Sequence, residues 1–159
     1  MTGRNDMATT AAWATTLENV LARQSAVLSD LGEWAARQRL CIADGQVDEL
    51  LMVLGHRQVL VERLLDTQSE LSGLTDGLED RLQAVEPETR HRLRSRMRDV
   101  DDALQRVLEQ DDRDRSELER QRSTANEQLR TMEATRQARS QYATSDVGVD
   151  ARRFADERG

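Results

Sequence analysis

A helical pattern without an internal break extends from Pro87 to about Tyr142, and it constrains the fold more than any other feature. Its regularly spaced apolar residues are dense up to Leu108, absent from positions 109–117, and sparse from Leu118 onward. Helices in proteins owe most of their stability to the burial of an apolar face. The last part of this helix is therefore expected either to stay in solvent or to bind a partner.

The composition favours long helices over a thick globular core. Charged residues make up 33% of the chain, aromatic residues only 3%, and there is a single proline. Such a profile is typical of long-helix and coiled-coil proteins. At 159 residues the chain has the length of one domain. We predict an all-α fold with a thin core built mainly from leucine and valine.

Helix 1 is predicted from about Ala8 to Ala43, because two adjacent rows of apolar residues recur there at helical spacing. The rows are Trp13, Leu17, Val20, Val27, Leu31, Trp34 and Cys41, and beside them Leu21, Leu28, Ala35 and Ile42. A stripe of this width allows the helix to contact two neighbours. Asp44 and Gly45 are expected to end the helix, since glycine readily adopts the left-handed conformation of a C-cap.

Helix 2 is predicted from about Gln46 to Leu71, and the short turn before it makes helices 1 and 2 antiparallel neighbours. Because this is the most apolar segment, we expect it to be the most buried. Its predicted core face comprises Val47, Leu50, Leu51, Leu54, Val61, Leu64, Leu65 and Leu71. The following segment, residues 72–86, fits either a loop or a short helix containing Leu78, Leu82 and Val85.

Helix 3 is predicted from Pro87, which suits the first turn of a helix, to about Gln141. It would be roughly 80 Å long, against roughly 50 Å for helix 1 and 40 Å for helix 2. We therefore predict an antiparallel up-down-up bundle of three long helices, with Leu118 to Gln141 overhanging it. Residues 1–142 would form one domain, and residues 143–159 a flexible tail.

No combination of residues in the chain fits a catalytic or metal site. His56 and His91 lie on different predicted helices, whereas a zinc site needs three or four converging ligands. Asp111, Asp112 and Asp114 cluster on a helix, without the glycine-containing turn of a calcium loop. We expect a protein that is not an enzyme and that holds no metal or cofactor.

Charge and hydropathy bear on compartment and partners. The net charge of −7 disfavours nucleic acid as a partner. The longest aliphatic run, residues 50–54, is far too short to span a bilayer, and residues 1–10 lack the apolar core of a signal peptide. The single cysteine, Cys41, excludes an internal disulfide, suits a reducing compartment and is expected to be a buried thiol. A cytoplasmic protein without membrane insertion is predicted.

A basic cluster lies near the start of helix 3, at alternate positions from Arg90 to Arg98. It fits a solvated helix face balanced by Asp99, Asp101 and Asp102. It also fits a contact with an acidic partner or a membrane surface.

The best candidate binding site is the C-terminal part of helix 3. Its apolar contacts would be Leu118, Ala125, Leu129 and Met132, flanked by Arg122 and Arg136. A helix of this kind can lie against a partner helix. The alternative is a frayed helix end without a function.

The helix 1–2 region resembles FlgN-type flagellar export chaperones. The matching residues are Leu28, Leu31, the run at 44–50, Arg57 with Gln58, Leu60, Leu64 and Leu65. A weaker match comprises Asn126, Leu129, Ala138 and Tyr142, and it adds Tyr142 to the candidate binding residues. The chain departs from the family in carrying Arg57 where lysine is common, and in the polar stretch 109–117.

The resemblance implies a cytoplasmic type III export chaperone of the flagellum. Its C-terminal helix would bind hook-filament junction (hook-associated) proteins, prevent their premature assembly and deliver them for export. The export gate is a further candidate partner. The alternative is a structural coiled-coil or scaffold protein that homo-oligomerises through helix 3, and the sequence leaves the oligomeric state open.

Overall fold

Four helices form the backbone of this computed structural model, which describes residues 2–156 and the side chains of residues 6–145. They are α1 (Thr2–Asp44), α2 (Val47–Leu74), α3 (Leu78–Ala84) and α4 (Pro87–Asp156). The described residues contain no strand, so the predicted all-α fold is confirmed. The chain divides into two compact units, Met1–Arg115 and Ser116–Gly159, with the boundary inside α4.

The turn between α1 and α2 is closed by a glycine cap. Gly45 has a φ of 67°, and the Gln46 N–H donates to the Cys41 carbonyl at 2.9 Å. The Gly45 N–H donates to the Ile42 carbonyl at 3.3 Å. These two bonds form the Schellman pattern, which satisfies carbonyls that the helix end leaves without partners. The predicted helix end at residues 44–45 is confirmed.

Replacing Gly45 with alanine is expected to lower the free energy of unfolding by about 1–2 kcal/mol, because a Cβ disfavours the left-handed conformation. The added methyl group would meet no atom within 4 Å, so the cost is confined to the backbone. Gly32→Ala is the matched control. Gly32 lies within α1, also with open space around it, and its replacement should stabilise by about 0.5–1 kcal/mol. Urea unfolding measures the free energy of unfolding of both variants. A change of the same sign in both would contradict the role of Gly45 as a helix cap.

The segment at 72–86 contains a short helix, which resolves the two alternatives left by the sequence. Gly77, with a φ of 64°, precedes α3, and Leu82 and Val85 are buried. The Arg90 guanidinium donates to the carbonyls of Leu82 (2.8 Å), Gln83 (3.1 Å) and Val85 (3.2 Å). A cation at this position complements the negative end of a helix dipole. Arg90 therefore joins the end of α3 to the start of α4.

The core of the unit Met1–Arg115 draws on all four helices, and α1 supplies the largest share. Trp13 is buried, and its indole N–H donates to the Leu74 carbonyl at 3.0 Å. This bond joins the N-terminal half of α1 to the end of α2. The core comprises Trp13, Ala14, Leu17, Leu21, Leu28, Leu31, Leu60, Leu82, Val85, Leu93, Val100 and Val107.

The predicted core face of α2 is wrong in most of its positions. Five of its residues are exposed over 37–64% of their surface, while Leu50, Leu64 and Leu71 are half-buried. The buried residues of α2 are instead Val53, Arg57, Leu60 and Thr67. The helix carries two apolar rows on different sides, and the row facing the core contains two polar residues. A ranking by apolarity alone therefore selects the wrong row, and it wrongly makes α2 the most buried helix. The five exposed residues are Val47, Leu51, Leu54, Val61 and Leu65.

A buried polar cluster occupies the apolar gap of α4. The Gln38 amide donates to Asp114 at 2.7 Å, and the Arg57 guanidinium donates to Asp111 at 2.6 Å and to the Gln38 carbonyl oxygen. Asp114 is only 4% exposed, and Gln110 also donates to it at 2.7 Å. The loss of apolar residues after Leu108 therefore does not mark the end of helix packing. Packing continues through polar contacts as far as Asp114.

The C-terminal end of α4 lies beyond the predicted boundary. The helix continues to Asp156, whereas the sequence pattern predicts its end at about Gln141; the flexibility of residues 143–159 stays a prediction. The helix passes through Gly148, because an isolated glycine costs a helix only about 1 kcal/mol and does not end it. Residues 157–159 lie outside the described part of the chain.

Candidate functional site

Six of the seven predicted binding residues lie on one side of α4. At about 100° per residue, they fall within roughly 80° of the helix circumference. Leu118, Leu129 and Met132 are exposed over 38%, 57% and 68% of their surface. We call this surface the C-terminal face, and it comprises Leu118, Arg122, Ala125, Leu129, Met132 and Arg136, all exposed.

Tyr142 does not share this face. It lies six residues after Arg136 and so points about 120° away around the helix. Its side chain is exposed. The structure therefore separates the residue that the resemblance suggested from the six that the spacing suggested.

The charges on this part of α4 differ in their pairing. The Arg120 guanidinium donates to the Glu117 carboxylate, and this hydrogen bond holds the pKa of Glu117 below its usual value. Arg120 lies about 160° and Glu117 about 100° around the helix from Leu118, so both are outside the C-terminal face. Arg122 and Arg136 form no hydrogen bond or ion pair with any described side chain, so both cations are available to a ligand.

A second exposed apolar surface lies on α2, and sequence reasoning missed it. Val47, Leu51, Leu54, Val61 and Leu65 follow one another at steps of three and four residues, with Gln58 completing the row. We call these six residues the α2 stripe. The spacing was visible in the sequence, but the row was assigned to the core. A contiguous apolar surface of this size is typical of an interaction site.

The edge of the α2 stripe is acidic. Asp48, Glu62 and Asp66 lie on one side of it, each displaced from Gln58 by about 40–80° around the helix. The cations of α2 are elsewhere, since Arg57 is buried and Arg63 points about 140° from Gln58. The α2 stripe therefore favours a partner with apolar and basic residues.

The basic cluster at residues 90–98 has partners within the bundle. Arg92 and Arg96 contact the Glu18 carboxylate at 3.0 and 3.3 Å, and Arg94 contacts Glu79 at 2.7 Å. These acids come from α1 and α3, so the predicted balance by Asp99, Asp101 and Asp102 is wrong. The pattern showed an excess of positive charge, but the balancing acids are distant in sequence.

The histidines and the cysteine lie in separate surroundings. The His56 ring stacks on Trp34, with ring centroids 4.4 Å apart, and His91 is exposed. Cys41 is buried, as predicted for a free thiol acting as a small apolar residue. Among the residues with described side chains, no three His, Cys, Asp or Glu residues are grouped as metal ligands would be.

Comparison with known proteins identifies no relative. The chain matches no family model, no curated protein and no solved structure. Within the described part of the chain, none of the helices has the length and apolarity that crossing a bilayer requires.

Proposed function

We propose that the chain is a FlgN-type flagellar export chaperone that binds hook-associated proteins through the C-terminal face. The observation that supports this most is the exposure of Leu118, Leu129 and Met132 on one side of a helix, together with two arginines that pair with none of the described side chains. None of the described side chains from 116 to 145 is buried. The segment thus offers a complete amphipathic surface to a partner.

The proposed mechanism is helix-on-helix binding. A terminal helix of the cargo packs its apolar side against Leu129 and Met132, while Arg122 and Arg136 pair with cargo carboxylates. Full burial of each large apolar side chain contributes about 1.5–3 kcal/mol. Ordering of both helices opposes binding and keeps the affinity moderate and reversible. The covered cargo helix cannot polymerise until the chaperone releases it at the export gate.

We also propose that the bundle has the up-down-up order expected of such a chaperone. Arg23 pairs with Glu70, and Arg37 with Glu49, so that positions along α1 and α2 run in opposite directions. Glu18 pairs with Arg92, and Gln38 with Asp114, so that α1 and the first part of α4 run in the same direction. These contacts support an antiparallel order of α1 and α2 and a parallel order of α1 and the first part of α4.

The double substitution Leu129→Asp with Met132→Asp is expected to weaken cargo binding at least 100-fold, because it removes two apolar contacts of about 1.5–3 kcal/mol each. Titration calorimetry of the full chain against purified hook-associated proteins measures this. Ala134→Asp is the control, since Ala134 is exposed about 160° around the helix from the C-terminal face. It should bind cargo like the native chain. Equal binding by native and double-substituted chains would contradict the proposal.

Co-purification separates this proposal from a scaffold that homo-oligomerises through α4. A chaperone expressed in a flagellated host should enrich hook-associated proteins, and Leu129→Asp should abolish the enrichment. A permanent scaffold should show no such enrichment, and its oligomer should persist at every protein concentration.

A further inference from the structure

The α2 stripe and the C-terminal face share one spacing. The α2 stripe occupies positions 47, 51, 54, 58, 61 and 65, and the C-terminal face occupies positions 118, 122, 125, 129, 132 and 136. Both series advance by four, three, four, three and four residues. Each covers 19 residues, or 18 helical steps, and is therefore about 27 Å long. Two helices with such a heptad spacing can pack along their whole common length.

The charges of the two surfaces are complementary. The α2 stripe is bordered by Asp48, Glu62 and Asp66, while the C-terminal face contains Arg122 and Arg136. Antiparallel pairing of α2 with the α2 of a second copy would instead bring Asp48 close to Glu62. Like charges across a helix seam disfavour pairing.

We infer that the α2 stripe binds the C-terminal face of a second copy of this chain in antiparallel order. In this register Glu62 lies beside Arg122, and Asp48 lies beside Arg136. The apolar layers are Leu51 with Met132, Leu54 with Leu129, and Leu65 with Leu118, and the small Ala125 faces Gln58. One pair of opposite charges lies at the end next to Leu51 and Met132, and the other lies between the Gln58–Ala125 and Leu65–Leu118 layers.

The donor is a second copy of this chain, because its C-terminal face matches the α2 stripe in spacing and carries arginines where the α2 stripe is bordered by acids. Each copy has one α2 stripe and one C-terminal face, so each seam joins two different surfaces and the association is head-to-tail. Gln58 and the two arginines make the seams less apolar than those of a permanent coiled coil, and the dimer is reversible.

Sedimentation velocity of the full chain at increasing concentration tests this inference. The native chain should shift from monomer to dimer and larger species, and Leu54→Asp and Leu129→Asp should each raise the dissociation constant at least 30-fold. Val59→Asp is the control, since Val59 is exposed on α2 but lies about 100° around the helix from Gln58. It should dimerise like the native chain. A native monomer at all concentrations would overturn the inference, as would a dimer that Leu129→Asp leaves intact.

A charge exchange tests the register. Glu62→Arg and Arg122→Glu should each weaken the dimer about tenfold, and the two together should restore it to within about threefold of the native affinity. A doubly substituted chain that dimerises no better than the single variants would overturn the register. These experiments use the protein alone, so their failure leaves the proposed cargo binding untouched. If both hold, cargo and the second copy compete for the C-terminal face.

Discussion

Arg57→Ala is expected to lower the free energy of unfolding by about 1.5–3 kcal/mol, because it removes the charge-assisted hydrogen bond to Asp111 and leaves the buried Gln38 carbonyl oxygen without a donor. Arg57 of α2 donates hydrogen bonds to Gln38 of α1 and to Asp111 of α4. Gln38 in turn donates a hydrogen bond to the buried Asp114. Removing the guanidinium leaves Gln38 and Asp111 short of a donor, while Asp114 keeps the amide donors of Gln38 and Gln110. Urea unfolding measures the loss as a lower midpoint at an unchanged slope.

Replacing the whole buried cluster should have the opposite outcome. The combination Arg57→Met, Gln38→Leu and Asp114→Leu removes the two buried charged groups, Arg57 and Asp114, and leaves Asp111 partly exposed to water. It is expected to be neutral or to stabilise by about 1–4 kcal/mol. Its cost would be specificity, since apolar residues no longer fix the register of α4 against α1 and α2. A combined variant as unstable as Arg57→Ala would contradict this account of the cluster.

Leu93→Ala is expected to lower the free energy of unfolding by about 2–5 kcal/mol. Leu93 is 0% exposed and belongs to the core that α1, α2, α3 and α4 build together. The loss combines the transfer of the missing methyl groups with the cavity they leave. Leu108→Ala is the control on the same helix, because Leu108 is 55% exposed and should change stability by no more than about 0.5 kcal/mol. Thermal or urea unfolding of both variants gives the comparison, and similar losses would contradict the assigned core.

The parts of the fold that follow from local chemistry were predictable from the sequence. Gly45 ends α1 because its backbone conformation needs no neighbour in space, and Pro87 begins α4 because its ring suits a first helical turn. The two apolar rows of α1 were predictable because that helix is buried on two sides.

The parts that depend on tertiary partners were not predictable. The buried side of α2 contains Arg57 and Thr67. Arg57 donates to Asp111 of α4, and Thr67 donates to the Leu64 carbonyl of its own helix. In α4 the aspartates at the apolar gap pair with residues more than 50 positions away. A pattern of apolar residues cannot reveal such partners. It therefore predicted that helix packing ends too early along α4, and it assigned the wrong side of α2 to the core.

The candidate site divides in the same way. The regular spacing of Leu118, Leu129 and Met132 predicted that they share one side of α4, because this prediction needs only the helical repeat. The α2 stripe has the same spacing, but recognising it as a surface requires knowing which side of α2 is buried. Binding of a partner at either surface stays a prediction.

Hydrogen–deuterium exchange of the full chain, with and without a purified hook-associated protein, tests the central claim most directly. Amides exchange slowly where helices are packed and quickly where a helix opens locally. Cargo binding is predicted to slow exchange across residues 118–136 and to leave α1 near Leu17 unchanged. Slowed exchange confined to α1 and α3, or no change anywhere at saturating cargo, would contradict a binding function for the C-terminal face.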